Sequence, residues 1–269
     1  MDRVIDPWID DVAAAFDDAL SAWARSDDAF LDFDVFTPAI DAAEDAIFWT
    51  LIYSHARGVV DVRERLGVPV GMFADFMPVD AVRAAVEAAG YSFDVWRGLA
   101  FQFGEFSSVL AMEIGHNAYS RITQSLGDAI GRGETKAQWV QNNGINNIGI
   151  LRDNPWYIDN VFRTNTSTYY AAGKWHSFTA IPEVRELVEY LEFIAILDDR
   201  TTPVCEGMDG TIKRVDDPIW GKYYPPNHYM CRSTVDPISK YENAKPKDPA
   251  HLHDPGKGFD TNVGASYAE

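Results

Sequence analysis

Apolar residues recur at helical spacing through the first 130 positions, and this constrains the fold more than any other feature. Trp8, Val12, Phe16, Leu20 and Trp23 stand three or four residues apart. On a helix they share one face, with Asp10, Asp11, Asp17 and Asp18 lying elsewhere. The spacing predicts a helix over 7–31. Thr37 and Pro38 suit an N-cap and a first helical position. That second helix should run through Ile40, Ile47, Phe48, Leu51 and Ile52 to about Val62, with Gly67-Val68-Pro69 ending it. Pro78 should open a third, with Val79, Val82, Val86 and Ala89 inward and Gly90 as its stop. Residues 96–130 read as a long helical region carrying Leu99, Phe103, Phe106, Leu110 and Ile114, interrupted by Gly98, Gly104 and Gly115. His116 in this region reads as an ordinary hydrogen-bonded or surface histidine. Thr135 should cap a short helix through Val140, and Asn142-Asn143-Gly144 is turn chemistry. Asn154-Pro155 begins a helix through Tyr169 to Gly173, and 183–190 reads as a short helix or turn.

Charge bounds the partners. The net charge is −18, and residues 1–100 hold 19 acidic against 7 basic side chains. Free nucleic-acid binding normally shows a basic footprint, which this chain lacks. No apolar run approaches a membrane span. Met1-Asp2-Arg3-Val4-Ile5-Asp6 has no cationic region leading into an apolar one, so no secretory signal is expected. Two cysteines cannot make a disulfide scaffold, and a reducing compartment is expected. The glycines fit no phosphate-cradling pattern, and the sequence shows no internal repeat.

The densest chemistry lies between Leu191 and Val235. Phe193–Leu197 is an apolar run of strand length, capped by Asp198, Asp199, Arg200 and Thr201. Cys205 follows, then Asp209-Gly210, a hairpin signal. Pro225-Pro226 forces extended backbone just before His228. Cys231 and Arg232 come three and four residues later. Both cysteines of the chain therefore share one segment with a histidine and paired acids.

This segment resembles the Mu protein F-like domain of tailed-phage minor head proteins, also called the phage head morphogenesis domain. The matching residues are Asp198-Asp199-Arg200-Thr201, Cys205, Asp209-Gly210 and the run Pro225, Pro226, His228, Cys231, Arg232. Upstream, Arg163-Thr164-Asn165 and Ala171-Ala172-Gly173-Lys174-Trp175 look like the family's helix before the strand. The resemblance covers about residues 110–235. It implies a minor head protein associated with assembly near the portal vertex, DNA packaging or delivery, in the host cytoplasm and then the head interior. The implied partner is the portal protein, with scaffold or major capsid protein as further partners, packaged DNA only indirectly, and no membrane. Portal contact is expected from the helical region, through Trp8, Phe16, Trp23 and Phe36.

Three readings of Cys205, His228 and Cys231 stand open. A zinc site has the right ligand types, but Asp198 or His176 would have to complete it. The resemblance implies cysteines near Thr202 and Ser233, where this chain has hydroxyls. A disulfide is disfavoured by a reducing compartment. In the third reading the cysteines are small buried hydrophobes. That structural reading is preferred, with no catalytic residue and no cofactor expected and zinc second. A Cys205-His228-Asp198 nucleophile, a metal-dependent hydrolase or a toxin-like effector is the alternative class. With the sequence running only to Glu269, no toxin domain is expected after the head domain.

The expected fold is α+β and predominantly α-helical. An acidic helical region (1–110) leads into a head-morphogenesis domain (111–235) with a short antiparallel sheet packed on helices. A Pro/Gly-rich extended tail (236–269) follows, held through Phe259 and Tyr267 or disordered.

Overall fold

A computed structural model describes residues 2–27, 31–68, 89–90, 93–143 and 155–266. Most described residues are helical, and one three-stranded antiparallel sheet completes the α+β fold. The chain divides into two units. The first comprises 1–50 and 96–162, the second 51–95 and 163–269.

The first unit is all helix among the described residues. Helix α1 (Asp2–Arg25) buries Val12, Phe16, Leu20 and Trp23, the predicted stripe. It begins five residues earlier than predicted and ends at Arg25. A 3-10 turn, Phe33–Phe36, runs directly into α2 (Thr37–Leu66). Thr37 is therefore already helical and does not cap. Asp32 takes that role, its carboxylate accepting from the Asp34 amide. Helix α3 (Phe93–Gly131) is continuous. The predicted breaks at Gly98, Gly104 and Gly115 do not occur, because one glycine costs a helix only about 1 kcal/mol, less than packing recovers. Gly115 has a packing reason. A Cβ there would lie 2.6 Å from Ile40 Cδ1. His116 is exposed and stacks on Phe33 at 4.5 Å. Helix α4 (Lys136–Asn143) opens with a capping box: Thr135 Oγ1 accepts from the Gln138 amide while Gln138 Oε1 accepts from the Thr135 amide.

The aromatic residues expected to meet the portal form this unit's core. Phe16 stacks on Phe36 at 5.7 Å, and Trp23 meets Trp139 edge-on at 6.1 Å. Phe16, Trp23 and Phe36 are buried and present no surface, while Trp8 is half-buried. The apolar side chains left exposed sit on α3 and include Phe101, Val109 and Met112.

The second unit is built on the second half of α2 and on α5 (Pro155–Ala180). Residues 51–56 of α2 are buried all round, which marks a central helix. The two helices touch backbone to backbone. A Cβ on Gly58 would lie 2.1 Å from the Tyr170 carbonyl oxygen, and one on Gly173 would lie 1.9 Å from that of His55. Only glycine permits this approach at either position. Ala89 ends in helix and Gly90 has φ +68, as a helix stop requires. The predicted helix from Pro78 otherwise lies outside the described residues, as do Gly144, Asn154 and Tyr267.

A short helix, α6 (Pro182–Arg185), leads into β1 (Val188–Ile194). This strand starts five residues before the predicted one. Leu191 and Phe193 point into the core, while Ile196 and Leu197 are exposed beyond its end. Strand β1 is central, in the order β2-β1-β3, with β2 at Ile212–Arg214 and β3 at Thr234–Ser239. Leu191 pairs with Lys213 on one side and with Pro237 on the other. Pro237 is tolerated because β3 is an edge strand. The Asp209-Gly210 pair does not make a two-residue hairpin. The β1–β2 connection instead carries α7 (Pro203–Met208), and Asp209-Gly210 closes it. Gly210 has φ +67 and its amide donates to the Phe193 carbonyl. Helix α8 (Ile219–Tyr223) precedes the cis Pro225-Pro226 bond.

After β3 the chain is extended but pinned. Lys247 and Ile212 exchange backbone hydrogen bonds, the Gly256 amide donates to Asn227, and Phe259 packs on Tyr229. Helix α9 (Val263–Ser266) lays Gly264 against Trp175.

Gly173→Ala should lower unfolding free energy in urea by about 3 kcal/mol or more, because backbone must move to admit one methyl. Gly127→Ala, on an exposed helical turn with open space, should instead stabilise by about 0.5–1 kcal/mol. His55 is wholly buried beside His176, and burial first, then the His176 charge, pulls its pKa down to about 3. The folded state therefore resists a proton that the unfolded chain accepts below about 6.5. Stability is complete above that pH and should fall by about 1.4 kcal/mol per unit as pH drops toward 3. Urea titrations at several pH values, with His55→Gln as comparison, should show the slope flatten in the variant.

Candidate functional site

The motif residues converge on one face of the second unit. Helix α5 supplies Thr164, whose buried hydroxyl accepts from the Met230 amide at 3.2 Å. Met230 has φ +57, and this bond holds the loop that carries His228 and Cys231. Arg163 and Asn165 are half-buried on the same helix. About three turns further along the same helix, Lys174 is buried. Its ammonium donates to the Val235 carbonyl at 2.7 Å, to Thr234 Oγ1 at 3.0 Å and to Asp236 at 3.0 Å. One cation thus fastens β3 to α5. Tyr224 does the same for the loop after α8, its hydroxyl donating to the Ala171 carbonyl at 3.0 Å.

The charged end of β1 is a tight turn. Asp198 Oδ1 accepts from the Arg200 amide at 2.9 Å, and Thr201 Oγ1 accepts from the Asp198 amide at 2.7 Å and donates to the Ile196 carbonyl at 2.6 Å. Asp209 receives the Ala195 amide at 2.8 Å. Arg232 grips Asp198 with both terminal nitrogens, at 2.8 and 2.6 Å. This fork is the partner that matters. Arg200 stands 3.9 Å away and is 73% exposed. The Arg232 hydrogen bonds first, then the Arg200 amide, hold the Asp198 carboxyl well below the usual carboxylate range. Asp199 is exposed. Pro226 is buried behind the turn that leads to His228.

Cys205, on α7, meets the 228–231 loop. Its sulfur lies 3.4 Å from His228 Nε2 and 3.7 Å from Cys231 Sγ. Both cysteines are free and buried, so the disulfide reading falls. The three ligand atoms lie within 4.8 Å of one another and form the only such group able to hold a metal among the described residues. Asp198 and His176 do not join them. Asp198 is committed to Arg232, and His176 faces His55. His228 Nδ1 lies 2.8 Å from the Tyr229 carbonyl. A carbonyl only accepts, so Nδ1 carries a proton and Nε2 faces the sulfurs. Hydrogen bonding from Cys205 first, then from His228 and the Asn227 amide, pulls the Cys231 thiol down against its burial. Cys205 is pushed up, by Cys231 and by burial. Cys231 is also what raises His228. The cluster therefore stabilises negative charge on sulfur.

The geometry does not assemble Cys205, His228 and Asp198 as a nucleophile, base and acid. The histidine nitrogen that would face the acid is bonded to backbone instead. Lys174 and the hydroxyls of Thr202 and Ser233 beside Cys205 were not singled out from sequence as site residues. A lysine inside the small, apolar run Ala171-Ala172-Gly173 was the available signal for the first.

Residues 120–236 match the family described as Phage Mu protein F like protein. The chain carries a domain of that family. Its curated relatives include the Mu-like prophage FluMu F protein of Haemophilus influenzae. Identity with that protein is 32% over 103 residues, 38% of this chain and 24% of the relative. Another is the putative capsid assembly protein F of Escherichia phage Mu, 29% identical over 85 residues, 32% of this chain and 19% of the relative. The chain thus spans about a quarter or less of the length of these relatives. No solved structure matches it.

Replacing Asp198 tests the fork. Asp198→Asn should lower the melting temperature at neutral pH, whereas Arg200→Ala should leave it unchanged. A depressed carboxyl stabilises above its unfolded value, about 3.9, and that stability is lost as pH falls. The gap between parent and Asp198→Asn, followed by circular dichroism, should therefore hold from pH 8 to 5 and close in acid.

Proposed function

We propose that the chain is a minor head protein of a tailed phage or prophage-derived particle, acting in capsid assembly by binding rather than by catalysis. The observation that carries this reading is the family match over 120–236, which includes a relative named for capsid assembly. The site supports it in kind. Asp198, Arg232, Thr164 and Lys174 spend their hydrogen bonds on the fold's own backbone and side chains. The portal is the first partner in this reading, with scaffold or major capsid protein as further ones. The place of action is the host cytoplasm during assembly and the head interior afterwards, with roles in packaging or delivery.

DNA is met only indirectly. Sequence-independent binding rests on phosphate neutralisation by Lys and Arg, and this chain has 41 acidic against 23 basic residues. Among the described residues no helix is long and apolar enough to cross a membrane. The exposed apolar residues of α3 are the surface this reading assigns to the portal.

Co-expression with the portal protein of the same phage or prophage, and recovery through a portal tag, tests the assignment. The parent chain should co-purify. A Phe101→Ser, Val109→Ser, Met112→Ser variant with unchanged melting should be recovered at least tenfold less. Failure of the parent to co-purify removes the portal as partner, and equal recovery of the variant removes α3 as the contact. Duplex DNA should bind weakly at physiological salt, and submicromolar affinity would overturn the charge argument.

A further inference from the structure

We infer that Cys205, His228 and Cys231 hold a zinc ion that fastens α7 to the 228–231 loop. The first argument is metric. Zinc–sulfur bonds of about 2.3 Å and a zinc–nitrogen bond of about 2.0–2.1 Å, at tetrahedral angles, set the sulfurs about 3.8 Å apart. The same geometry sets sulfur and nitrogen about 3.5–3.6 Å apart. The observed separations are 3.7 Å between the sulfurs and 3.4 Å from Cys205 Sγ to His228 Nε2. Two edges of a zinc tetrahedron are thus already formed by the fold, and all three ligand atoms lie within 4.8 Å of one another.

The second argument is the support around the ligands. Ligating histidines give their other ring proton to a carbonyl or carboxylate, which fixes the tautomer. His228 does this with Tyr229, and so aims a lone pair at the point the sulfurs share. The Asn227 amide serves Cys231 in the same way, as a donor to a thiolate. Soft thiolates with an imidazole are a donor set that zinc favours.

Three protein ligands leave one tetrahedral position. Among the described residues no further Cys, His, Asp or Glu reaches it. The Thr202 and Ser233 hydroxyls stand beside the Cys205 sulfur, and Thr202 Oγ1 is buried without an ordinary hydrogen-bond partner. A hydroxyl or a water completes the site. The ion joins two segments 23 residues apart, Cys205 and His228, at the point where their thiol contacts bring them together. Its binding free energy is thereby coupled to folding.

The full chain, purified under reducing conditions with zinc present and then dialysed, should carry close to one zinc by elemental analysis. Cobalt-loaded chain should show thiolate-to-metal charge transfer and the strong visible bands of a tetrahedral site. A strong chelator should lower the melting temperature of the parent and leave that of Cys231→Ser unmoved. Well under one zinc per chain after loading, or a cobalt spectrum without thiolate charge transfer, overturns the proposal. Because parent metal content and spectrum decide the matter, a variant that fails to fold does not blur the result.

Discussion

The second unit depends on the contact between α2 and α5 at Gly58 and Gly173. Two helices can approach to backbone contact only where neither carries a Cβ in the way, and each helix supplies one such position. The approach sets where the rest of α5 points. Lys174, next in sequence, reaches the carbonyl of Val235 and fixes β3. Ala171 offers its carbonyl to Tyr224, and Thr164 its hydroxyl to Met230. Strand, turn and loop are all referred to one helix.

From that frame the Cys/His loop acquires its shape. Thr164 pins it at Met230 and Arg232 ties it to the turn after β1 through Asp198. Cys231 lies between those two anchors and His228 two residues before the first, and both meet Cys205 on α7. The polar residues of the motif are thus mutual supports. Because each is satisfied by another part of the same unit, replacing one should be felt through the fold.

The acidity belongs to a different physical role. The excess lies in residues 1–100, and Asp6 and Asp10 of α1 are exposed. Net charge of this size keeps a protein soluble and repels a duplex at long range. The apolar surface lies elsewhere, on α3 of the first unit, which leaves Phe101, Val109 and Met112 exposed.

Periodicity alone determined that the chain is mainly helical, where the core stripe of α1 lies, and that Thr135 starts a helix. These are local facts, set by the 3.6-residue repeat and by capping chemistry between residues three apart. The motif's residue types likewise located the candidate site. What sequence misplaced were features decided by partners distant in the chain. Thr37 looked like a cap, but the 3-10 turn before it moved that role to Asp32. Gly115 looked like a break, yet its lack of a side chain lets Ile40 approach. Strand β1 was shifted because pairing with two neighbours, rather than apolarity, sets its ends. Phe16, Trp23 and Phe36 read as spare surface until folding buried them against each other and Trp139. Arg200 stands two residues from Asp198 in the chain, yet Arg232, 34 residues away, takes that carboxylate with both nitrogens. The Cys/His cluster was visible as three residues, but whether they could meet at zinc-like distances was decided only by the fold, since coordination geometry is a property of space and not of spacing.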